Sequence, residues 1–232
     1  MNPTLKKILT WFVFPVIIIV LVIAIVSSIM QPVNFNKQRD FRKNVAIQQM
    51  KDIRTLQVAF KAENGRFAPA MDTLIDFYNN GQMTVIMQVG SMDDSTAVQH
   101  TEAIKKEHKG KISGLELYQL YLAGDKNLVF SVENKTPVKE NLFTDRNDFD
   151  INALKYIPFS EGEPVIMEAT IKQVSGVQVP LFEAKIPYKS LLKGMNNQLR
   201  INLDAECRAQ NKYEGLQVGS IEAPNNNAGN WE

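Results

Sequence analysis

The chain carries two histidines, His100 and His108, with Glu102 and Glu107 between them. Imidazoles and carboxylates are the donor set of a zinc or other transition-metal site, but such sites bring their ligands at short, fixed spacings on one element. Here the histidines lie in a polar stretch without a sustained apolar face, so they read as solvated surface residues and no metal is expected. The carboxylate pairs Asp93 with Asp94 and Asp148 with Asp150 fall in polar turns, where capping and solvation account for them without acid–base catalysis. Cys207 is the one thiol, which excludes an intramolecular disulfide; with no activating partner in sequence it reads as a small buried strand residue. Asn134-Lys135-Thr136 matches a glycosylation sequon, but Pro137 follows and it is given no role. The chain has no Walker phosphate loop, Rossmann glycine fingerprint, nucleophile elbow or zinc helix motif. No catalytic residue, no cofactor and no enzymatic activity are therefore expected. A hydrolase with a site dispersed along the chain is the least favoured alternative.

Charge narrows the partners. The formal net charge is +1 over 232 residues, without the concentrated basic face of a nucleic-acid binder, so nucleic acid is not an expected partner.

The elements that would position any site begin with an apolar run. From Ile8 to Met30 there is no Asp, Glu, Lys, Arg or His, enough at about 1.5 Å per residue to cross a hydrocarbon core of roughly 30 Å. A cleavable signal peptide would have a shorter apolar region closing on small residues. Here Ser27, Ser28 and Ile29 lead into Met30 and Gln31, and the run reads as a retained single-pass anchor. Trp11 and Phe12 suit the membrane interface, Pro15 is expected to bend the helix, and the run offers neither a glycine seam nor an ionisable group for an ion path. Lys37, Arg39, Arg42 and Lys43 outnumber Lys6 and Lys7, which by the positive-inside rule favours a cytoplasmic carboxy-terminal domain. Lys6 and Lys7 abut the run, however, whereas the later cations begin farther along and are interspersed with Asp40. The short tail is therefore placed in the cytoplasm and the domain outside.

After a break expected at Pro32, the residues Phe41, Val45, Ala46, Met50, Ile53, Leu56 and Phe60 recur at three- and four-residue steps between Asn36 and Asn64, one face of a helix. Asn64 and Gly65 supply a left-handed stop. Met50, Ile53, Leu56 and Phe60 form the candidate packing or interaction face. Packing on the chain's own domain is favoured, because Gln57 interrupts a strict heptad seam; pairing as a short coiled coil is the alternative.

An amino-terminal apolar helix continuing into Gln49-Met50-Lys51-Asp52-Ile53-Arg54-Thr55-Leu56, then Phe60, Asn64-Gly65-Arg66-Phe67, Pro69 and Leu74, resembles the spine and first loop of type II secretion pseudopilins and type IV pilins. The resemblance covers about the first third of the chain. The family's prepilin peptidase site is not present: no Gly precedes a Phe-Thr-Leu-Ile-Glu-like start, and the apolar run holds no glutamate. The resemblance therefore implies a layout, a membrane-rooted helix carrying an extracytoplasmic α+β head, and it places that head outside the cytoplasm.

Farther along, Pro69 opens a short helix that Gly81 ends, and Thr84 to Val89 reads as a buried strand. Ser113 with Glu116 has capping-box spacing for a helix ending near Gly124, and Leu128 to Val132 follows as a strand. Val165 to Lys172 and Val177 to Ile186 flank Ser175-Gly176 as a hairpin, with Pro180 and Pro187 placing the second strand near an edge. Tyr188 to Met195 reads as a short helix. Leu199, Ile201, Leu203, Ala205 and Cys207 alternate with polar residues, the pattern of a half-buried strand, and Leu216 to Ile221 adds a last one. Leu154 precedes Val165-Ile166-Met167 by the interval separating Leu74 from Val85-Ile86-Met87, which suggests two related α+β modules or a coincidence.

The expected class is thus α+β, with a stub and anchor over 1–34, the long helix and a first module over 35–92, and a polar loop over 93–112. A second module with antiparallel strands covers 113–222, and a flexible tail covers 223–232. The expected role is a non-catalytic, single-span protein of the cytoplasmic membrane with a periplasmic head. It would serve as a scaffold or assembly part of a secretion or pilus-like machine, touching the membrane through 8–30 and other envelope proteins or itself. A membrane-anchored ligand-binding or sensing head, with the apolar hairpin framing a pocket, is the alternative.

Overall fold

A computed structural model of the chain describes residues 11 and 13–232. Lys6, Lys7, Phe12 and the first residues of the apolar run, Ile8 to Thr10, lie outside the described residues. The fold is α+β: a long apolar amino-terminal helix is followed by a domain with two small antiparallel sheets. The chain forms two compact units, one of the residues up to Arg54 together with Asn152–Glu232, the other of Thr55–Ile151.

Helix α1 spans Phe14–Asn64 without interruption. Pro32 lies inside it, so the break expected there does not occur; a proline removes one N–H and strains one turn, and the turns on either side carry the helix through. From Phe14 to Gln31 every residue is exposed, and Phe35 is the first buried one. One N-terminal helix is therefore long and apolar enough to span a membrane. Beyond it Ala46, Met50, Ile53 and Leu56 are fully buried and Phe60 nearly so. Gly65 ends the helix at φ 70°, its N–H bonded to the Lys61 carbonyl at 2.8 Å.

In the unit Thr55–Ile151, α2 (Met71–Asn80) buries Met71, Leu74, Phe77 and Tyr78 along one side. The ring of Phe77 meets Phe60 edge-on at 5.2 Å. Gln57, expected as an interruption, is buried and holds the backbone of Ala68 at both ends, donating to its carbonyl and accepting from its N–H at 2.9 Å each. Strands β1 (Gln82–Val89) and β2 (Phe130–Pro137) form a two-stranded ribbon, so β1 is less buried than expected. Between them lie α3 (Ser95–Glu107) and α4 (Gly114–Leu122). The Ser113/Glu116 capping box is present in full. The polar loop expected over 93–112 is instead α3: Asp94 accepts from the N–H groups of Thr96 and Ala97, and the helix buries only Ala97 and Thr101. That stripe is too narrow to register as an apolar face.

The other unit holds a sheet in the order β3–β4–β5, with β3 (Ile166–Val174), β4 (Val177–Pro187) and β5 (Gly215–Gly219). Ser175 and Gly176 both have positive φ, 51° and 85°, the two-residue turn that matches strand twist. β4 is the central strand and not an edge. Pro180 fits because β5 pairs only with Glu183–Pro187, which leaves the β5-facing side of Pro180 without a ladder partner. After α5 (Tyr188–Leu191) comes the second large correction: Leu199 to Arg208 is not a strand but lies in α6 (Asn197–Ala209), capped by the Asn196 side chain accepting from Leu199 N–H at 3.0 Å. Cys207 is accordingly a half-buried helix residue.

The carboxy-terminal stretch is not a loose tail. Gly219 N–H bonds the Ala228 carbonyl, Asn230 N–H bonds the Gln217 carbonyl, and the Asn230 amide bonds the Gly215 carbonyl, which seals the outer edge of β5. Arg54 then pairs with Glu232 at 2.6 Å. The Val-Ile-Met tripeptides fall in β1 and at the start of β3, but a 3-10 turn over Ile151–Lys155 stands where α2 stands earlier, and β3 turns directly into its partner whereas β1 waits across two helices.

Candidate functional site

In the unit that contains the carboxy terminus, a polar cleft of about 280 Å³ opens where four elements converge. Arg39 and Lys43 reach it from α1, one turn apart on one face. Leu203, Glu206, Cys207 and Gln210 reach it from α6, again one face of a helix. Gly215 and Leu216 of β5 form the floor, and Asn230 with Trp231 closes the side. Gly215 has no substitute there: a Cβ would stand 2.2 Å from the Ile186 carbonyl oxygen. Gly229 is constrained likewise, because the Trp231 indole lies where its Cβ would be, at 2.4 Å.

The electrostatics of the cleft are basic with local neutralisation. Arg39 pairs with its neighbour Asp40 at 2.8 Å. Glu206 accepts a long 3.5 Å bond from Gln210. Arg200 pairs with Asp204, and Arg208 with Glu214 at 2.7 Å. Lys43 and Lys212, which also line the cleft, make no ion pair among the described residues. Burial, reinforced by the negative charges of Asp204, Glu206 and Glu214, pushes the Cys207 thiol up, so it stays protonated and is a poor nucleophile. Burial likewise drives the Tyr213 hydroxyl up to about 12, with Glu183 and Glu214 adding to it. The indole N–H of Trp231 is buried without a hydrogen-bond partner among the described residues, a state that costs about 1–3 kcal/mol. A neighbouring hollow of about 380 Å³ shares Lys212 and Tyr213 and is lined by Asp204. The second carboxylate oxygen of Asp204 has no partner among the described residues, and burial raises the pKa of Asp204 against the opposing Arg200 charge.

One cluster in the same unit has the residue types of nucleophilic catalysis. Ser190 donates a short hydrogen bond to Glu163, and Lys193 reaches Glu161 at 2.9 Å and the Ser160 carbonyl at 3.2 Å. The Ser190 bond lowers the Glu163 pKa, and Glu161 raises that of Lys193. A lysine serving a serine nucleophile must lose its proton; this one is held charged. The cluster ties the turn around Ser160 to α5.

In the unit Thr55–Ile151, α4 leaves part of the ribbon uncovered. An apolar groove of about 520 Å³ lies between Leu115 and Tyr118 of α4 and Val85, Met87 and Val132 of the strands. It borders the cluster formed by Leu117, Leu128, Phe130 and Val132. The ribbon, not the β3–β4 hairpin, frames this groove.

The residues singled out from sequence are dispersed. Met50, Ile53, Leu56 and Phe60 are all buried, so that face is occupied within the chain; the exposed apolar residues of this stretch are Phe41, at 63% exposure, with Val45 and Val58. His100 and His108 both sit on or at the end of α3, His100 bonded to Asp125 at 2.8 Å and His108 to the Ile104 carbonyl at 2.9 Å. No group of three or more His, Cys, Asp or Glu among the described residues is placed to hold a metal ion. The basic cleft was missed; its only sequence signal was Arg39 and Lys43 at four-residue spacing on a predicted helix. Compared with protein-family models, curated proteins and solved structures, the chain matches none.

Proposed function

We propose that this chain is a non-catalytic, single-span component of the cytoplasmic membrane whose α+β head acts outside the cytoplasm as a scaffold or assembly part of a membrane-rooted machine, in the manner of a secretion or pilus-like apparatus. The observation that supports this reading is α1. One end is apolar and exposed on every side, and the same uninterrupted helix goes on to supply buried residues of the head. Such a helix suits a part whose position above the membrane matters. The pilin-like layout of the first third supports it further.

Two measurements test it. In a Cys207→Ser background, a cysteine placed at the exposed Asn225 should react with a membrane-impermeant maleimide from the extracytoplasmic side; labelling only after lysis overturns the orientation. Photo-crosslinkers at Phe41 and Val58 should give discrete adducts with the same envelope protein, or with a second copy, in intact cells. A monomeric product at every exposed position removes the assembly role.

A second reading, a membrane-anchored ligand-binding head, is supported by the clefts at Trp231 and at Tyr118.

A further inference from the structure

We propose that the cleft walled by α1, α6, β5 and Trp231 binds an oxyanion of the phosphate type, with Arg39, Lys43 and Lys212 as its charged ligands. The cleft is lined mainly by polar surface, and its volume of about 280 Å³ is at the small end of ligand sites. Its lining brings three cations from two separate stretches of chain against one lining acid, Glu206; Asp40 neutralises Arg39, and Asp204 and Glu214 lie behind Lys212 in the neighbouring hollow. Cations gathered this way need anions close by, and of the three only Arg39 has a direct carboxylate partner. Lys43 and Lys212 are the two without an ion pair among the described residues. A guanidinium and two ammonium groups around one hollow suit the several acceptor oxygens of a phosphoryl group.

The carboxy-terminal part of the lining is built from specific contacts. Gly229 lacks the Cβ that would displace the indole, Asn230 is bonded three times to Gly215 and Gln217, and Trp231 keeps a buried N–H with no acceptor among the described residues. The height of the cleft along α1 bears on the source of the anion. Arg39 follows Gln31, the last residue of the fully exposed run, by eight residues, roughly 12 Å along the helix axis, and Lys43 follows it by twelve, roughly 18 Å. A headgroup layer is about 5–8 Å thick on each side of the hydrocarbon core. These backbone positions lie beyond the headgroup layer, so a small soluble phosphate is the expected source, and a lipid headgroup is the other outcome that the test distinguishes. The site stands apart from the assembly role and needs only a folded head.

The test uses the full chain with Trp11→Phe, which leaves Trp231 as the sole tryptophan and a reporter in the cleft wall. Inorganic phosphate is titrated onto the detergent-solubilised protein. In parallel the protein is reconstituted into phosphatidylcholine vesicles with and without phosphatidylglycerol. A saturable change in Trp231 emission is expected, weakened by salt, and weakened at least about tenfold by Lys43→Gln with Lys212→Gln. Lys37→Gln, which removes one charge from α1 outside the cleft lining, should leave it unaltered. A response to phosphate and vesicles alike, or to phosphate alone, supports the site with a free anion as ligand; a response to phosphatidylglycerol alone supports it with a headgroup. No response to either, or an equal loss with Lys37→Gln, overturns the proposal. Unchanged circular dichroism and melting of the double variant separate lost binding from lost fold.

Discussion

The two halves of α1 are built from much the same apolar residues and end in opposite surroundings. From Phe14 to Gln31 the apolar side chains point in every direction and all remain exposed. From Phe35 to Asn64 they share the helix with Lys, Arg, Asp and Gln, and only one stripe is buried. An all-round apolar helix has no wet face to offer water and calls for lipid as its solvent, whereas a one-sided helix calls for a core. Continuity through Pro32 joins the two without a hinge residue, so what changes along α1 is which side chains are covered and not the backbone.

The comparison breaks most sharply by exchanging the penalties. Ile53→Ala, at a fully buried position, should cost about 2–5 kcal/mol in the unfolding of the head and leave membrane insertion intact. Ile23→Asp should leave the head's melting unchanged while adding about 2.5–3.5 kcal/mol to the insertion free energy. Urea unfolding and carbonate extraction read the two separately, and a variant that fails in both assays would show the halves to be coupled.

Next in size is Gln57→Leu. The apolar replacement keeps the volume but strands the Ala68 N–H and carbonyl that the amide now satisfies, an expected loss of about 1–3 kcal/mol. Equal stability in chemical denaturation would mean that the stripe tolerates any residue of that shape.

A pH effect follows at the carboxy-terminal end of α1. Glu63 accepts from the Thr84 N–H at 2.6 Å, and this bond, with that to the Thr84 side chain, lowers its pKa against a smaller opposing effect of burial. The folded pKa lies below the unfolded one, so the contribution is complete above the unfolded value, about 4.3, and is lost as pH falls through the folded value. Glu63→Gln should flatten the acid limb of the stability profile. Asp94, Glu116 and Asp125 are lowered too, by bonds to Thr96, Ser113 and His100 respectively, so the limb will shrink without vanishing.

The smallest expected effect is at Phe41, which lies on the apolar pattern yet is 63% exposed. It touches the Phe159 ring at a centroid distance of 6.0 Å. Phe41→Ser should change stability by no more than about 0.5 kcal/mol, and a melting shift well beyond that would extend the buried stripe toward the membrane.

Features of short range were legible before the fold. The Ser175-Gly176 turn, the Ser113/Glu116 box and the Gly65 stop each depend on a few consecutive residues, and each stands in the structure as expected. The segment Leu199–Arg208 was not legible because its apolar residues alternate; Leu199, Leu203 and Cys207 also recur at helical spacing, and both periods fit the same letters. Two local signals favoured the helix, the Asn196 cap and the Arg200–Asp204 pair at four-residue spacing. Helix α3 was hidden by its narrow stripe, although Asp94 announced its start.

The sequence by itself determined the membrane-length helix, its continuation as an amphipathic spine and the α+β class, because hydropathy and periodicity are properties of neighbouring residues. Only the tertiary structure decided that Met50, Ile53, Leu56 and Phe60 are covered, that β4 is central, and that the last residues seal β5 and carry Trp231 to a cleft with Arg39 and Lys43. Those outcomes join residues far apart in the chain. Which partner satisfies a given backbone edge or apolar face depends on every other surface competing for it, and no local pattern records that competition.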